Sequence, residues 1–176
     1  MVNHMSHPDR VSERSYETIT KRDLMRLRDI AITEREDFFS RMAGWKALYR
    51  KRVMAIALIQ GAALHFINGK TGVKDFDVCT FYYTHPEKAW YAKPVKVRDF
   101  GASKFGRHPD FDEFVGRKVD LMGRSVSVKP GSDPAAAIRA YMAEGHVGSS
   151  PWYWRQKPVV LLDPLDRLQE IVWPLK

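Results

Sequence analysis

GAALHFINGKTGVKDFDV, residues 61–78, decides how the chain is read. It holds Gly61, a short apolar run, a glycine-rich turn and two aspartates, Asp75 and Asp77, one residue apart. The stretch before it, Val53–Ile59 (VMAIALI), is short and almost continuously apolar. That length and composition suit a strand buried on both faces, and Gly61 after it permits a sharp turn with close backbone approach. Ala62–Ile67 fits a short helix packed on that strand, and Asn68–Gly72 is a loop by composition. Asp75–Tyr83 (DFDVCTFYY) is rich in β-branched and aromatic residues and predicts a second strand.

Outward from this centre, residues 1–18 are polar without an apolar period and predict a loose, flexible tail, leaving 19–176 as one domain. Thr20 opens a helix in which Leu24, Leu27 and Ala31 recur at helical spacing. Thr33 with Glu36 three residues later has the capping-box pattern and predicts a second helix. Phe38, Met42, Trp45 and Tyr49 then line one face, a core stripe. Downstream, Val95–Val97 alternates like a strand, and 100–110 reads as an ordered loop rich in glycine and basic residues. Arg117–Met122 alternates charged and apolar residues and predicts a strand, broken at Gly123 and resumed over Ser125–Val128. Asp133-Pro134 starts a helix that Gly145 closes. A short helical piece from Pro151 and strands at Val159–Leu162 and Ile171–Trp173 complete the chain. The pattern predicts an α+β (mixed α/β) domain: one mixed sheet with helices packed on one side.

The totals bound the class. A chain of 176 residues supports one domain with a real core. No apolar run approaches a membrane span, and the N-terminal MVNHMSHPDR lacks the apolar core of a signal peptide. One cysteine, Cys79, excludes an internal disulfide framework and fits a reducing, cytoplasmic setting. The net charge of +8 leans towards anionic partners such as nucleotides or nucleic acid, and equally serves solubility.

Chemistry centres on the carboxylates. Residues i and i+2 of a strand share a face, so Asp75 and Asp77 project together and repel unless a cation or a shared proton lies between them. Hard oxygen ligands of this kind suit Mg²⁺ or Mn²⁺, held by one or two carboxylates with substrate phosphates and water. Asp120 adds a third carboxylate if its strand lies beside the second. The plainer alternative has Asp75 capping the Gly72 loop and Asp120 pairing with Lys118 or Arg124 on the surface. Lys70, Lys74, Lys104 and Arg107 are candidate phosphate contacts or solvated loop cations. His65, on the apolar helix, reads as a satisfied core or edge histidine. His85, His108 and His146 lack zinc spacing. Ser103, Ser125 and Ser127 lack a nucleophile-elbow context, and no P-loop or dinucleotide fingerprint occurs.

A strand ending in a glycine turn, a short helix, a strand opening Asp-x-Asp and a later strand with one more Asp resembles the polymerase-β-like nucleotidyltransferase superfamily over about residues 53–122. The matching residues are Gly61, Asp75, Asp77 and Asp120. The resemblance implies that Gly61 and Ala62 bring backbone N–H groups to nucleotide phosphates, with Lys74 nearby. It further implies that Asp75 and Asp77 bind the metal and the triphosphate, and that Asp120 completes a catalytic site for Mg²⁺-dependent nucleotidyl transfer. The family turn is usually Gly-Gly or Gly-Ser. Here Ala62 supplies no hydroxyl, which keeps open a non-catalytic module that binds nucleic acid or a partner on the same fold. The string QGAALHFINGKTGVKDFDV is also similar to a group of bacterial proteins, a likeness that brings no function. A metal nuclease ranks last, because no acid-x-lysine signature follows the aspartates.

Overall fold

A computed structural model describes residues 13–90, 93–144 and 156–174. The elements run α1 (Lys21–Ser40), a 3₁₀ helix (Gly44–Lys51), β1 (Val53–Ile59), α2 (Gln60–Asn68), β2 (Phe76–Tyr83), β3 (Lys93–Asp99), β4 (Lys118–Val126), α3 (Pro134–Glu144), β5 (Val159–Asp163), a 3₁₀ turn (Leu165–Arg167) and β6 (Ile171–Trp173). The strands form one six-stranded sheet in the order β3-β4-β2-β1-β5-β6. β2 and β4 pair in parallel and all other neighbours are antiparallel, so this is the α+β fold with one mixed sheet that the sequence predicts.

Both faces of the sheet are covered. Alternation along the strands sends Ile56, Leu58, Phe76, Val78, Val119 and Leu121 to one face, where they bury against Leu24, Leu27 and Ala31 of α1 and Ala62 and Ala63 of α2. Ala55, Ala57, Ile59, Cys79 and Phe81 point the other way and pack on Ala135, Ala137, Ile138 and Met142 of α3. The expectation of helices on one side is therefore corrected. The near-continuous apolar run of β1 already requires two covered faces, since a two-sided burial cannot be met from one side.

Thr20 is the N-cap of α1, and the capping box uses Asp23: Thr20 N–H donates to Asp23 Oδ2 at 2.7 Å and Asp23 N–H to Thr20 Oγ1 at 3.4 Å. No second helix starts at Thr33. That residue lies inside α1, where the apolar period of Leu24, Leu27, Ala31 and Phe38 runs on unbroken. The helix ends at Ser40, and Gly44, at φ +67, opens the 3₁₀ helix. The aromatic stripe is core despite the break. Phe38, Phe39, Tyr49 and Tyr82 close around Trp90, with Met42 and Trp45 packed against them.

The remaining strands fall where the sequence puts them, except that β4 is continuous through Gly123. Parallel pairing with β2 carries the register without interruption from Phe76↔Val119 to Tyr83↔Val126, so the glycine has a partner and no reason to break the strand. Asp133 caps α3 by accepting from Ala136 N–H at 2.8 Å. The closing Gly145, the helical piece from Pro151, and His146 lie outside the described residues.

Residues 13–18 are not loose. Ser15 and Val73 exchange backbone hydrogen bonds of 2.9 and 2.7 Å. The Glu17 carbonyl meets His65 Nε2 at 3.1 Å, and His65 Nδ1 accepts from Gly72 N–H at 3.0 Å. His65 is thus the satisfied core histidine that its apolar helix suggests, with the hydrogen on Nε2. A polar composition hid this attachment because it is made by backbone groups, which any side-chain pattern permits.

Candidate active site

Four charged side chains meet at one end of the sheet, where β1 ends and β2 and β4 begin. Phe76 and Val78 face α1 and α2, so Asp77 between them faces the opposite side. Asp75 lies two residues before it, on the same side. The parallel register sets Asp77 opposite Asp120, and Lys118 shares the face of Asp120 two residues earlier on β4. The condition on which the third carboxylate depended, β4 lying beside β2, is met.

Lys118 also satisfies the plainer reading of Asp120. Its Nζ lies 2.9 Å from Asp120 Oδ2 and 3.4 Å from Asp75 Oδ2. The three side chains are partly withdrawn from water, at 18% exposure for Lys118, 16% for Asp120 and 30% for Asp75. Burial alone would lower the ammonium's pKa. The hydrogen bond to Asp120 and the charges of Asp120 and Asp75 outweigh burial and hold it above the ordinary lysine value. Asp77 has no such partner among the described residues. Burial, then the charges of Asp75 and Asp120, push its carboxyl up to about 7, against weaker pulls from Lys118 and Lys157. Asp77 therefore takes up its proton near neutrality, which relieves the repulsion that crowded anions otherwise meet with a cation.

A cavity of about 300 Å³ opens beside these acids. Asp75 and Asp77 line it together with Gln60, Gly61 and Ala62 at the start of α2, Lys74, and, from elsewhere, Arg14 and Lys157. Gly61, Ala62 and Lys74, the nucleotide contacts that the resemblance implies, all line this cavity, whereas the candidate phosphate contacts Lys70, Lys104 and Arg107 do not. The turn into α2 is made differently from the expectation. The left-handed residue is Gln60, at φ 59, while Gly61 sits in the first helical turn with open space around the place of a Cβ. Gly61→Ala is accordingly expected to keep the fold and to add about 0.5–1 kcal/mol of stability in urea unfolding, the ordinary helix gain of alanine over glycine. A loss instead would reveal a close approach at that position.

Two features of the site had no simple sequence signal. Arg117 is fully buried, and its guanidinium donates to the carbonyls of Phe105 (2.8 Å), Glu13 (3.3 Å) and Lys74 (3.4 Å). It ties the 100–117 loop and the N-terminal segment to the turn that carries Asp75. Burial lowers its pKa, and Asp75 opposes that. The loop itself reaches the cluster: Lys74 pairs with Asp110 at 3.1 Å, and Lys118 Nζ stands 5.5 Å from the centre of the Phe111 ring. His108, 2% exposed, donates its backbone N–H to Gly116 and accepts from Asp110 N–H at Nδ1. Burial and Lys118 lower its pKa.

The other candidates are structural. Lys104 pairs with Asp23 at 3.0 Å, and Arg107 donates to the Phe114 and Asp112 carbonyls. Both are used inside the fold, away from the cavity. Ser103 and Ser125 accept backbone N–H groups from Phe105 and Trp90.

Among the described residues, no group of three or more His, Cys, Asp or Glu side chains is arranged to hold a metal ion, and no helix is long and apolar enough to cross a membrane. Mg²⁺ asks less of a protein than three ligands. One or two carboxylates suffice when substrate phosphates and water complete the shell. Asp75, just before β2, and Asp77, on it, both line the cavity, and the proton on Asp77 is the one a cation would replace. The donor set thus fits a hard divalent ion arriving with a phosphate. In comparisons of the chain with known proteins, no family model, no curated protein and no solved structure matches it.

Proposed function

We propose that the chain transfers a nucleotidyl group from a nucleoside triphosphate to an acceptor hydroxyl, with Mg²⁺ or Mn²⁺ as cofactor. The observation that carries this reading is the juxtaposition of Asp75, just before β2, and Asp77 on β2, both lining the cavity where α2 starts, with Asp120 in register with Asp77 on parallel β4. In it, Asp75 and Asp77 would hold the cation together with phosphate oxygens, and such an ion would supply charge neutralisation and Lewis-acid polarisation at the phosphoryl group. The start of α2, whose Gln60, Gly61 and Ala62 line the cavity, would meet the phosphates with its backbone N–H groups, since a helix N-terminus favours negative charge. Ala62 offers no hydroxyl, so this contact is made by backbone alone. Lys74 and Lys157, on the same cavity wall, add positive charge. Asp120 would take the proton of the acceptor hydroxyl as its oxygen bonds to the α-phosphorus and the bond to the leaving pyrophosphate breaks.

Labelled nucleoside triphosphates, Mg²⁺ or Mn²⁺, and cellular RNA or protein extract test the reading. It predicts a labelled product that disappears with EDTA. No product with any nucleotide, together with no metal-dependent nucleotide binding, overturns it.

One observation favours a second reading. Lys118 already pairs with Asp75 and Asp120 within the fold and offsets one of their two charges. On this reading the chain is a non-catalytic module that binds nucleic acid or a partner, drawn by its net charge of +8. Phosphate-driven binding is strongest at low salt, so undetectable affinity for RNA and DNA there excludes it.

A further inference from the structure

The ion pairs of Lys118 carry an inference that rests on the metal reading above and deepens it. Lys118 and Asp120 project from the same face of β4, and Asp77 stands opposite Asp120 on β2. The ammonium makes a short contact to Asp120, 2.9 Å, and a longer one to Asp75, 3.4 Å. It stands 5.5 Å from the centre of the Phe111 ring, at the end of a partly buried side chain. Asp75 is therefore shared between two uses. It is a ligand of the proposed cation and a partner of a resident one. A divalent ion on Asp75 and Asp77 and an ammonium on Asp75 are like charges in a partly desolvated pocket, where repulsion is much stronger than in water.

We infer that Lys118 is an internal counter-cation that weakens the site for free divalent ions, so that the ion enters with an anionic substrate and displaces the ammonium from Asp75 while its contact to Asp120 persists. The unequal distances fit this division: the longer contact is the one released. The triphosphate supplies the negative charge that makes up for placing the ion and Lys118 side by side, which couples the two binding events. The cavity has room for such a group beside Asp75 and Asp77, between them and the start of α2.

The test is Mn²⁺ binding without nucleotide, read by electron paramagnetic resonance of the free ion or by calorimetry. Native protein, Lys118→Met, Lys118→Arg and Asp77→Asn are compared, with folding checked by circular dichroism. Lys118→Met is expected to bind Mn²⁺ at least about tenfold more tightly than native protein, and Lys118→Arg to stay within about twofold of it, because the guanidinium keeps the charge. Asp77→Asn should remove binding. Three acids without a cation strain the fold, so the charge-balanced pair Lys118→Met/Asp120→Asn serves as the second comparison. It should bind more tightly than Asp120→Asn alone. Equal affinity of native protein and Lys118→Met, with binding lost in Asp77→Asn, overturns the role of Lys118 and leaves the metal site standing. Absence of Mn²⁺ binding in every protein, with and without nucleotide, overturns both.

Discussion

Asp77→Asn is expected to abolish metal-dependent nucleotidyl transfer and, in EDTA, to make the protein more stable at and above neutral pH. Two consequences of one carboxyl group separate here. Its pKa stands at about 7, raised by burial and then by Asp75 and Asp120. The unfolded chain releases that proton near the ordinary aspartate value, about 4. Between those two values the native state binds more protons than the unfolded state. Its stability therefore falls as pH rises from about 4, and the loss is complete above about 7. The full difference is on the order of 2–4 kcal/mol, an upper range for a group that retains some solvent. Asn has nearly the same shape and no charge, so it removes this slope. Urea unfolding from pH 5 to pH 8 without divalent ions should show native protein declining relative to the variant. Parallel curves would mean that Asp77 feels no crowding from its neighbours. Saturating Mn²⁺ with a triphosphate should reverse the order, stabilising native protein and leaving the variant unmoved, because only the former holds the ion.

The second large effect is expected at Gly116→Ala, a position with no part in chemistry. A Cβ there would lie 2.0 Å from the Gly101 carbonyl oxygen, 2.6 Å from its carbon and 2.7 Å from its nitrogen. All three are backbone atoms, and neither strand end is free to move. Asp99 Oδ1 accepts from both Gly101 N–H and Gly116 N–H, and its Oδ2 accepts from Val115 N–H. Phe100 N–H donates to Arg117 O and His108 N–H to Gly116 O. Relief of the clash must break part of this closure, at a cost of about 3 kcal/mol. It must also shift Arg117, whose guanidinium holds the carbonyl of Lys74 beside Asp75. Stability and divalent-dependent nucleotide binding should therefore fall together in Gly116→Ala, whereas Gly61→Ala, with open space at its Cβ, should gain stability. An unperturbed Gly116→Ala in urea unfolding would show that the strand ends are looser than their hydrogen bonds imply.

These two positions mark what the sequence could reveal. Asp75 and Asp77 are legible because the two-residue period of extended backbone running into β2 is a local property. Their partnership with Asp120 was conditional, because pairing of β2 with β4 is non-local and β3 comes between them in the chain. From the sequence, Lys118 is only one surface partner of Asp120. Its second contact, to Asp75, needs the parallel register before it can be seen. Gly116 carries its role through Gly101, fifteen positions away, and a close backbone approach leaves no periodic trace. Arg117 looked like the first charged residue of an alternating strand. It is wholly buried because three carbonyls from separate segments converge on it, a convergence that no local pattern encodes. Thr33 misled for the opposite reason. Its capping pattern is local and genuine, but Thr20 already starts a helix whose apolar face continues past it.

The attachment of residues 13–17 bears on how this protein can be trimmed or tagged. A chain begun at Thr18 would retain every acid of the cluster and all six strands. It would nevertheless lose the backbone pairing of Ser15 with Val73, the acceptor of His65 at Glu17 and that of Arg117 at Glu13. Each of these anchors the glycine loop or the turn that delivers Asp75. Affinity handles fused directly at that point, or proteolysis that removes it, would detune the cluster from a distance while circular dichroism reported an ordinary fold.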